Sequence, residues 1–198
     1  MSVLVGKQAP DFKAQAVMGD GSFQEVSLSQ YRDKYVVLFF YPLDFTFVCP
    51  TEIIAFDHRL EEFEKRNVQV LGVSVDSHYS HFAWRETPVE KGGIGRIRYP
   101  LIADIKKEIA RAYDVLFDDS VALRASFLID RAGVVQHQVV NNLGLGRNID
   151  EMLRMVDALQ FFEEHGEVCP ANWKPGSEAM KADPQGVAEY LAKHANEL

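Results

Sequence analysis

The sequence predicts an α/β fold, a central mixed sheet flanked by helices, from three observations. Apolar β-branched runs alternate with amphipathic stretches along the first 165 residues. One run, Tyr35-Val36-Val37-Leu38-Phe39-Phe40-Tyr41, is apolar at every position, as expected of a strand covered on both faces. The chain has 198 residues, 47% of them hydrophobic and 25% charged, which suits a single hydrophobic core.

The elements follow in order. Tyr35–Tyr41 is the central strand. Phe56, Leu60 and Phe63 fall at i, i+4 and i+7 among charges, the apolar stripe of one helix. Val68–Val75 is a second strand. Asp104 is placed to cap a helix over Ile105–Tyr113. Ser126–Asp130 and Val134–Val140 are strands joined by Arg131-Ala132-Gly133, short enough for a hairpin. Asn148 with Glu151 resembles a capping box ahead of Met152, Val156 and Leu159. After Gly166 the composition changes: Pro170, Pro175, Gly176, Pro184 and Gly186 interrupt any apolar periodicity. The expected organisation is therefore a domain over residues 1–165 and a C-terminal arm over 166–198.

Composition excludes several classes. Lys and Arg number 21 against 29 Asp and Glu, so the net charge is 21 − 29 = −8, and no basic block stands out. Neither a nucleic acid nor an anionic membrane is an expected partner. Met1–Phe12 lacks the basic and apolar regions of a signal peptide, and the longest strongly apolar run falls far short of the roughly 20 residues a membrane span needs. A cytoplasmic protein is expected. Only two cysteines occur, Cys49 and Cys169, too few for a disulfide-dense scaffold, a zinc ribbon or an iron–sulfur cluster. His78 and His81 at i, i+3 are the remaining metal candidates. No third ligand stands near them, so they are expected to be surface histidines, and no metal or cofactor is expected.

Cys49 carries the chemistry. Tyr41-Pro42-Leu43-Asp44-Phe45-Thr46-Phe47-Val48-Cys49-Pro50-Thr51-Glu52 leaves a buried strand and enters a helix. Pro50 suits the first helical turn and Glu52 the positive helix end, so Cys49 stands at or next to the N-cap. A cysteine with pKa ~8.5 is only about 3% thiolate at pH 7; reaching about 90% needs roughly 3.4 kcal/mol of preferential anion stabilisation. A helix terminus supplies ~0.3–2 kcal/mol. A cation is required as well, and a hydroxyl from Thr46, three positions before Cys49, would help. A lone cysteine is more often a buried structural residue, Thr46 could be an ordinary turn threonine, and Arg124 and Arg147 taken alone are more often solvated. The turn with two prolines and a threonine favours chemistry.

Pro42-x-x-x-Thr46-x-x-Cys49 matches the active-site signature of peroxiredoxins. Val168-Cys169-Pro170 with Trp173-Lys174-Pro175-Gly176 resembles the resolving-cysteine arm of the typical 2-Cys class, the alkyl hydroperoxide reductase C and thioredoxin peroxidase group. The resemblance runs from Gly6–Phe12 to Glu189-Tyr190 and implies a thioredoxin-like fold with an N-terminal extension and a C-terminal arm. It implies that Cys49 attacks the peroxide and becomes a sulfenic acid, that Thr46 and Arg124 hold thiolate and peroxide, and that Pro42 shields the sulfenate. Glu52 and Arg147 would orient Arg124. Cys169 would condense with Cys49 to a disulfide between two subunits of a homodimer, itself part of a ring, by expectation a decamer. Thioredoxin or a dedicated flavoprotein reductase would recycle it.

Rival readings are weaker. A thioredoxin-type oxidoreductase needs Cys-x-x-Cys, and position 52 is Glu. Glutathione-peroxidase-like chemistry leaves the Cys169 arm without a role. A holdase chaperone, an activity associated with over-oxidised or high-order peroxiredoxins, has no direct sequence feature. Gly92-Gly93-Ile94-Gly95 resembles the Gly-Gly-Leu-Gly loop of peroxide-sensitive members, whereas their C-terminal Tyr-Phe is Tyr190-Leu191 here. The expected outcome is intermediate sensitivity: in a peroxide titration followed by mass spectrometry, Cys49 sulfinate should accumulate only above the peroxide level that over-oxidises a member with both full motifs.

Overall fold

The first strands of the chain form a hairpin. In the computed structural model, which describes residues 3–196 and 198, β1 (Lys13–Val17) pairs antiparallel with β2 (Phe23–Ser27) from Lys13↔Ser27 to Val17↔Phe23. Asp20-Gly21 makes the turn: Gly21 has φ +88°, a conformation open to glycine at little cost, and the Asp20 carboxylate accepts from the Ser22 amide at 2.8 Å. The all-apolar run becomes β3 (Tyr35–Phe40), which is buried along its whole length.

Two crossovers follow. α1 (Cys49–His58) and α2 (Leu60–Lys65) lead to β4 (Val68–Ser74), parallel to β3; α3 (His78–Glu86) leads to β5 (Leu101–Ala103), parallel to β4. After α4 (Glu108–Ala112) come the short pair β6 (Leu116–Phe117) and β7 (Val121–Ala122). The expected hairpin is present as β8 (Arg124–Ile129) and β9 (Val135–Asn141), with β8 antiparallel to β3. Among the described residues, seven strands form one mixed sheet in the order β2-β1-β5-β4-β3-β8-β9.

Alternation along β3 builds a core on each face of the sheet. Phe39 stacks on Phe56 of α1 with ring centroids 4.3 Å apart and meets Tyr99 edge-on. Phe40 points the other way, onto Tyr113 and Phe127 at 5.3 and 5.9 Å. Each fully buried aromatic contributes about 1.5–3 kcal/mol, so β3 anchors both layers.

Several expectations are corrected. Phe56, Leu60 and Phe63 are all buried, but the helix breaks between α1 and α2. There the Arg59 amide bonds the Phe56 carbonyl at 3.2 Å, and the Arg59 guanidinium reaches the Ala55 carbonyl at 3.5 Å, so the break keeps backbone groups paired. The helix expected from Ile105 begins only at Glu108, because Lys107 adopts a left-handed conformation (φ +59°). Asp104 still serves it, accepting from the Ile109 and Ala110 amides at 3.1 and 2.7 Å. The strands β1, β2 and β5 were missed: β5 has only three residues, and β1 and β2 lack long apolar runs.

The chain forms two compact units, Met1–Ile149 and Asp150–Leu198. The second holds nearly all of α5 (Ile149–His165), an isolated bridge between Val168 and Met180, and α6 (Pro184–His194). α6 was also missed, although Asp183, whose carboxylate accepts from the Gly186 amide at 2.7 Å, and Pro184 in the first turn form a start signal. Among the described residues no helix is long and apolar enough to cross a membrane.

Phe39→Ala should lower unfolding stability by about 3–5 kcal/mol, read as a fall in the urea midpoint at fixed protein concentration.

Candidate active site

Cys49 is the first residue of α1, with Val48 at the N-cap and Pro50 in the first turn. Its side chain is completely buried. Phe45, held in a left-handed conformation (φ +53°), turns the preceding loop, and its ring rests on Trp84 at 5.6 Å. This reversal brings the Thr46 hydroxyl to 2.8 Å from both Cys49 Sγ and the Leu43 carbonyl. One hydroxyl hydrogen serves one acceptor at a time. An anionic sulfur therefore competes directly with the Leu43 carbonyl for it, and charge favours the sulfur.

The cation comes from the sheet. Arg124, first residue of β8, places Nη1 3.3 Å from Cys49 Sγ and 2.8 Å from Glu52 Oε2, and its Nε donates to the Leu143 carbonyl at 2.7 Å. Glu52 lies one turn after Cys49, where the helix N-terminus favours an anion. Arg147 grips Glu52 with two parallel hydrogen bonds, Nε to Oε1 and Nη2 to Oε2, both 2.8 Å, and its own amide donates to Oε1 at 2.9 Å. Arg147 Nη1 donates to the carbonyls of Phe40 and Ala125 at 2.8 and 2.7 Å, and the guanidinium lies over the Phe39 ring at 5.2 Å. The arginine side chains are 5% and 3% exposed, which settles the choice left open between solvated and buried.

The electrostatics follow from counting charges. Two buried guanidiniums and one carboxylate leave a surplus of +1 beside the sulfur, and a thiolate there neutralises the cluster. Burial pushes the Glu52 carboxyl up, but the hydrogen bonds and charge of Arg147, with the charge of Arg124, outweigh it and hold the group below its ordinary range. Pro42 is buried two residues beyond the end of β3.

A second buried network holds the same loop and was not foreseen. Asp44 Oδ2 lies 2.8 Å from His81 Nδ1, Tyr41 donates to Asp44 Oδ1 at 2.9 Å, and His81 Nε2 lies 3.2 Å from the Ile102 carbonyl. His81 is fully buried, not the surface histidine expected, because both ring nitrogens find partners inside. The Asp44 amide is in turn bonded by Asp76 at 2.9 Å. Burial and the neighbouring Asp44 charge push Tyr41 well above the ordinary tyrosine range, so it stays a donor. Trp84 is core, as expected, and its indole donates to the Gly92 carbonyl at 2.9 Å, fastening the Gly92–Gly95 loop to α3. Gly93 has no alternative there, since a Cβ would lie 1.8 Å from the Thr87 carbonyl oxygen.

Cys169 is a half-buried free thiol in the second unit, and Cys49 is likewise free. Among the described residues no group of three or more His, Cys, Asp and Glu side chains is arranged to hold a metal.

Residues 5–138 match the AhpC/TSA family. The chain belongs to the AhpC/TSA family. Residues 158–193 further match the C-terminal domain of 1-Cys peroxiredoxin, a stretch that here contains Cys169. The chain is 59% identical to alkyl hydroperoxide reductase C of Helicobacter pylori over 198 residues, covering 99% of this chain and all of that one. The reduced 2-Cys peroxiredoxin of Plasmodium vivax superposes with a TM-score of 0.95 at 59% identity, over 96% of this chain and all of that one. Thioredoxin peroxidase I of Plasmodium yoelii is 62% identical, with a TM-score of 0.79 over 88% of this chain and all of that one. The thioredoxin-like expectation for the fold therefore holds.

Glu52→Gln should destabilise the protein by about 3 kcal/mol at pH 7, since it leaves two buried guanidiniums short of their counter-charge. The folded-state pKa is lowered, so this stabilisation is complete above the unfolded value of about 4.3 and disappears as pH falls through the lower folded value. Thermal melts of wild type and variant should therefore converge in acid.

Proposed function

We propose that this chain is a thiol peroxidase that reduces hydrogen peroxide and small organic hydroperoxides through Cys49. One observation carries the reading: a buried cysteine at a helix start, 2.8 Å from a threonine hydroxyl and 3.3 Å from an arginine, in a cluster one negative charge short of neutrality. The Cys49 thiolate attacks the terminal peroxide oxygen. The S–O bond forms, the O–O bond breaks, and the leaving oxygen takes a proton to depart as water or alcohol. Charge spreads over sulfur and two oxygens in the transition state, and donors fixed in advance stabilise it best. Arg124 and Thr46 are those donors, Glu52 and Arg147 orient Arg124, and Pro42 walls the sulfenate from water.

Cys169 resolves the sulfenate of a second subunit: its thiol displaces water and leaves a Cys49–Cys169 disulfide. Such a bond needs Cα atoms within about 7 Å, and Cys49 starts buried in a helical turn, so the first turn of α1 must unwind. The reductant is thioredoxin, a choice supported by the relative named thioredoxin peroxidase; a flavoprotein reductase is the alternative. A ring of dimers, a decamer, is supported by an exposed aromatic cluster in which Phe23 meets His78, Tyr79 and Phe82 edge-on at 5.0–5.6 Å. Two free thiols fit a reducing compartment such as the cytoplasm.

Peroxide-dependent turnover with each reductant tests the reading. Cys49→Ser should abolish it. Cys169→Ser should allow a single turnover yet give no disulfide-linked dimer on a non-reducing gel; a persistent Cys49-linked dimer would show that another group resolves. Arg124→Ala should slow sulfenate formation by about two to three orders of magnitude, measured by stopped flow.

A further inference from the structure

The second unit contains an arginine that the peroxide step does not use. Arg154 lies on α5, four residues before Ala158 and seven before Phe161, so all three share one helix face. The arm is fastened to that face at both ends of the segment Cys169–Trp173. Cys169 Sγ donates to the Ala158 carbonyl at 3.6 Å, Trp173 packs against Phe161 at 5.1 Å, and Arg154 Nη1 donates to the Trp173 carbonyl at 2.9 Å. The fit is not complete, since among the described residues the buried Trp173 Nε1 has no hydrogen-bond partner. That missing bond makes the docked arm easier to release than a fully paired one, and it leaves the Arg154 contact as a main polar hold.

The same guanidinium partly offsets what burial does to the thiol, which on balance lies above the ordinary cysteine range. Burial pushes the Cys169 thiol up, and the Arg154 charge pulls in the opposite direction. Glu151, one turn earlier, takes Nε and Nη2 of Arg154 at 2.6 and 2.7 Å, which aims the cation and partly neutralises it. Among the described residues Arg154 is a charge that bears on Cys169, and Glu151 acts through its hold on Arg154.

We propose that Arg154 is a positioning residue of the resolving step, holding the Cys169–Trp173 segment on α5 and supplying the positive charge that favours the Cys169 thiolate. The proposal rests on Cys169 being the resolving thiol. In that step the thiolate sulfur bonds to the Cys49 sulfenic sulfur, the S–OH bond breaks, and hydroxide leaves and takes up the proton that Cys169 released. No other oxidant or reductant enters.

The test uses the full chain with Cys49→Ser, in which Cys169 is the only thiol. Alkylation by iodoacetamide is followed against pH. Arg154→Gln should cut the rate at pH 7 about fivefold and move the midpoint upward; Arg154→Lys should restore most of it; Glu151→Gln should move the midpoint downward. A merely structural role moves both neutralising variants in the same direction. Superimposable profiles, or shifts of equal sign, overturn the proposal, and the Glu151→Gln shift decides it should Arg154→Gln fail to fold. With Cys49 present, Arg154→Gln should slow disulfide formation by a similar factor and leave sulfenate formation unchanged. Failure of the resolving assignment itself is recognised separately, by a disulfide-linked dimer that survives Cys169→Ser while the alkylation profiles still respond to Arg154.

Discussion

The Glu52 carboxylate is the interaction on which the site depends. It is a buried anion that accepts from Arg124, twice from the side chain of Arg147 and once from the Arg147 amide. An isolated buried carboxylate would be costly, and so would either guanidinium. Together they satisfy one another and leave one positive charge for the sulfur. The three charged side chains come from the first turn of α1, the start of β8 and the loop before α5, so the cluster also fixes these elements in register. The Arg147 bonds to the Phe40 and Ala125 carbonyls tie it to neighbouring strands of the sheet.

The loop between β3 and α1 adds a hydroxyl donor to this charge. Its shape is held by buried polar bonds at Asp44 and by the left-handed Phe45, and its product is the position of the Thr46 hydroxyl. Cys49 Sγ is thus held among fixed donors but enclosed. Being the first residue of a helix, it sits where the least structure must be undone to expose it, since terminal turns open at lower cost than helix interiors. In the proposed reaction the same geometry serves two needs that conflict in a rigid site: a dry, charged pocket for attack on peroxide, and later access for a second thiol.

Much of the site was legible because its signals are local. Pro42, Thr46, Cys49, Pro50 and Glu52 fall within eleven consecutive residues, and helix geometry alone relates them. The β8–β9 hairpin was legible for the same reason. The failures share a cause too. His78 and His81 have the same local pattern as surface histidines, and only contact with Asp44, 37 positions away, reveals that His81 is buried. The split of α1 from α2 depends on carbonyl partners that no apolar periodicity encodes.

The amino-acid sequence by itself determined the fold class and the placing of Cys49 and Thr46 together at a helix start, because strand and helix periods and a short motif are properties of neighbours along the chain. It also identified the arginines, though only by resemblance. Tertiary structure alone decided that Arg124 and Arg147 are buried, that a single carboxylate holds both, and that the thiol stands 3.3 Å from a cation. Those facts depend on positions 72 and 95 residues apart meeting across the sheet, and charge balance exists only once they have met.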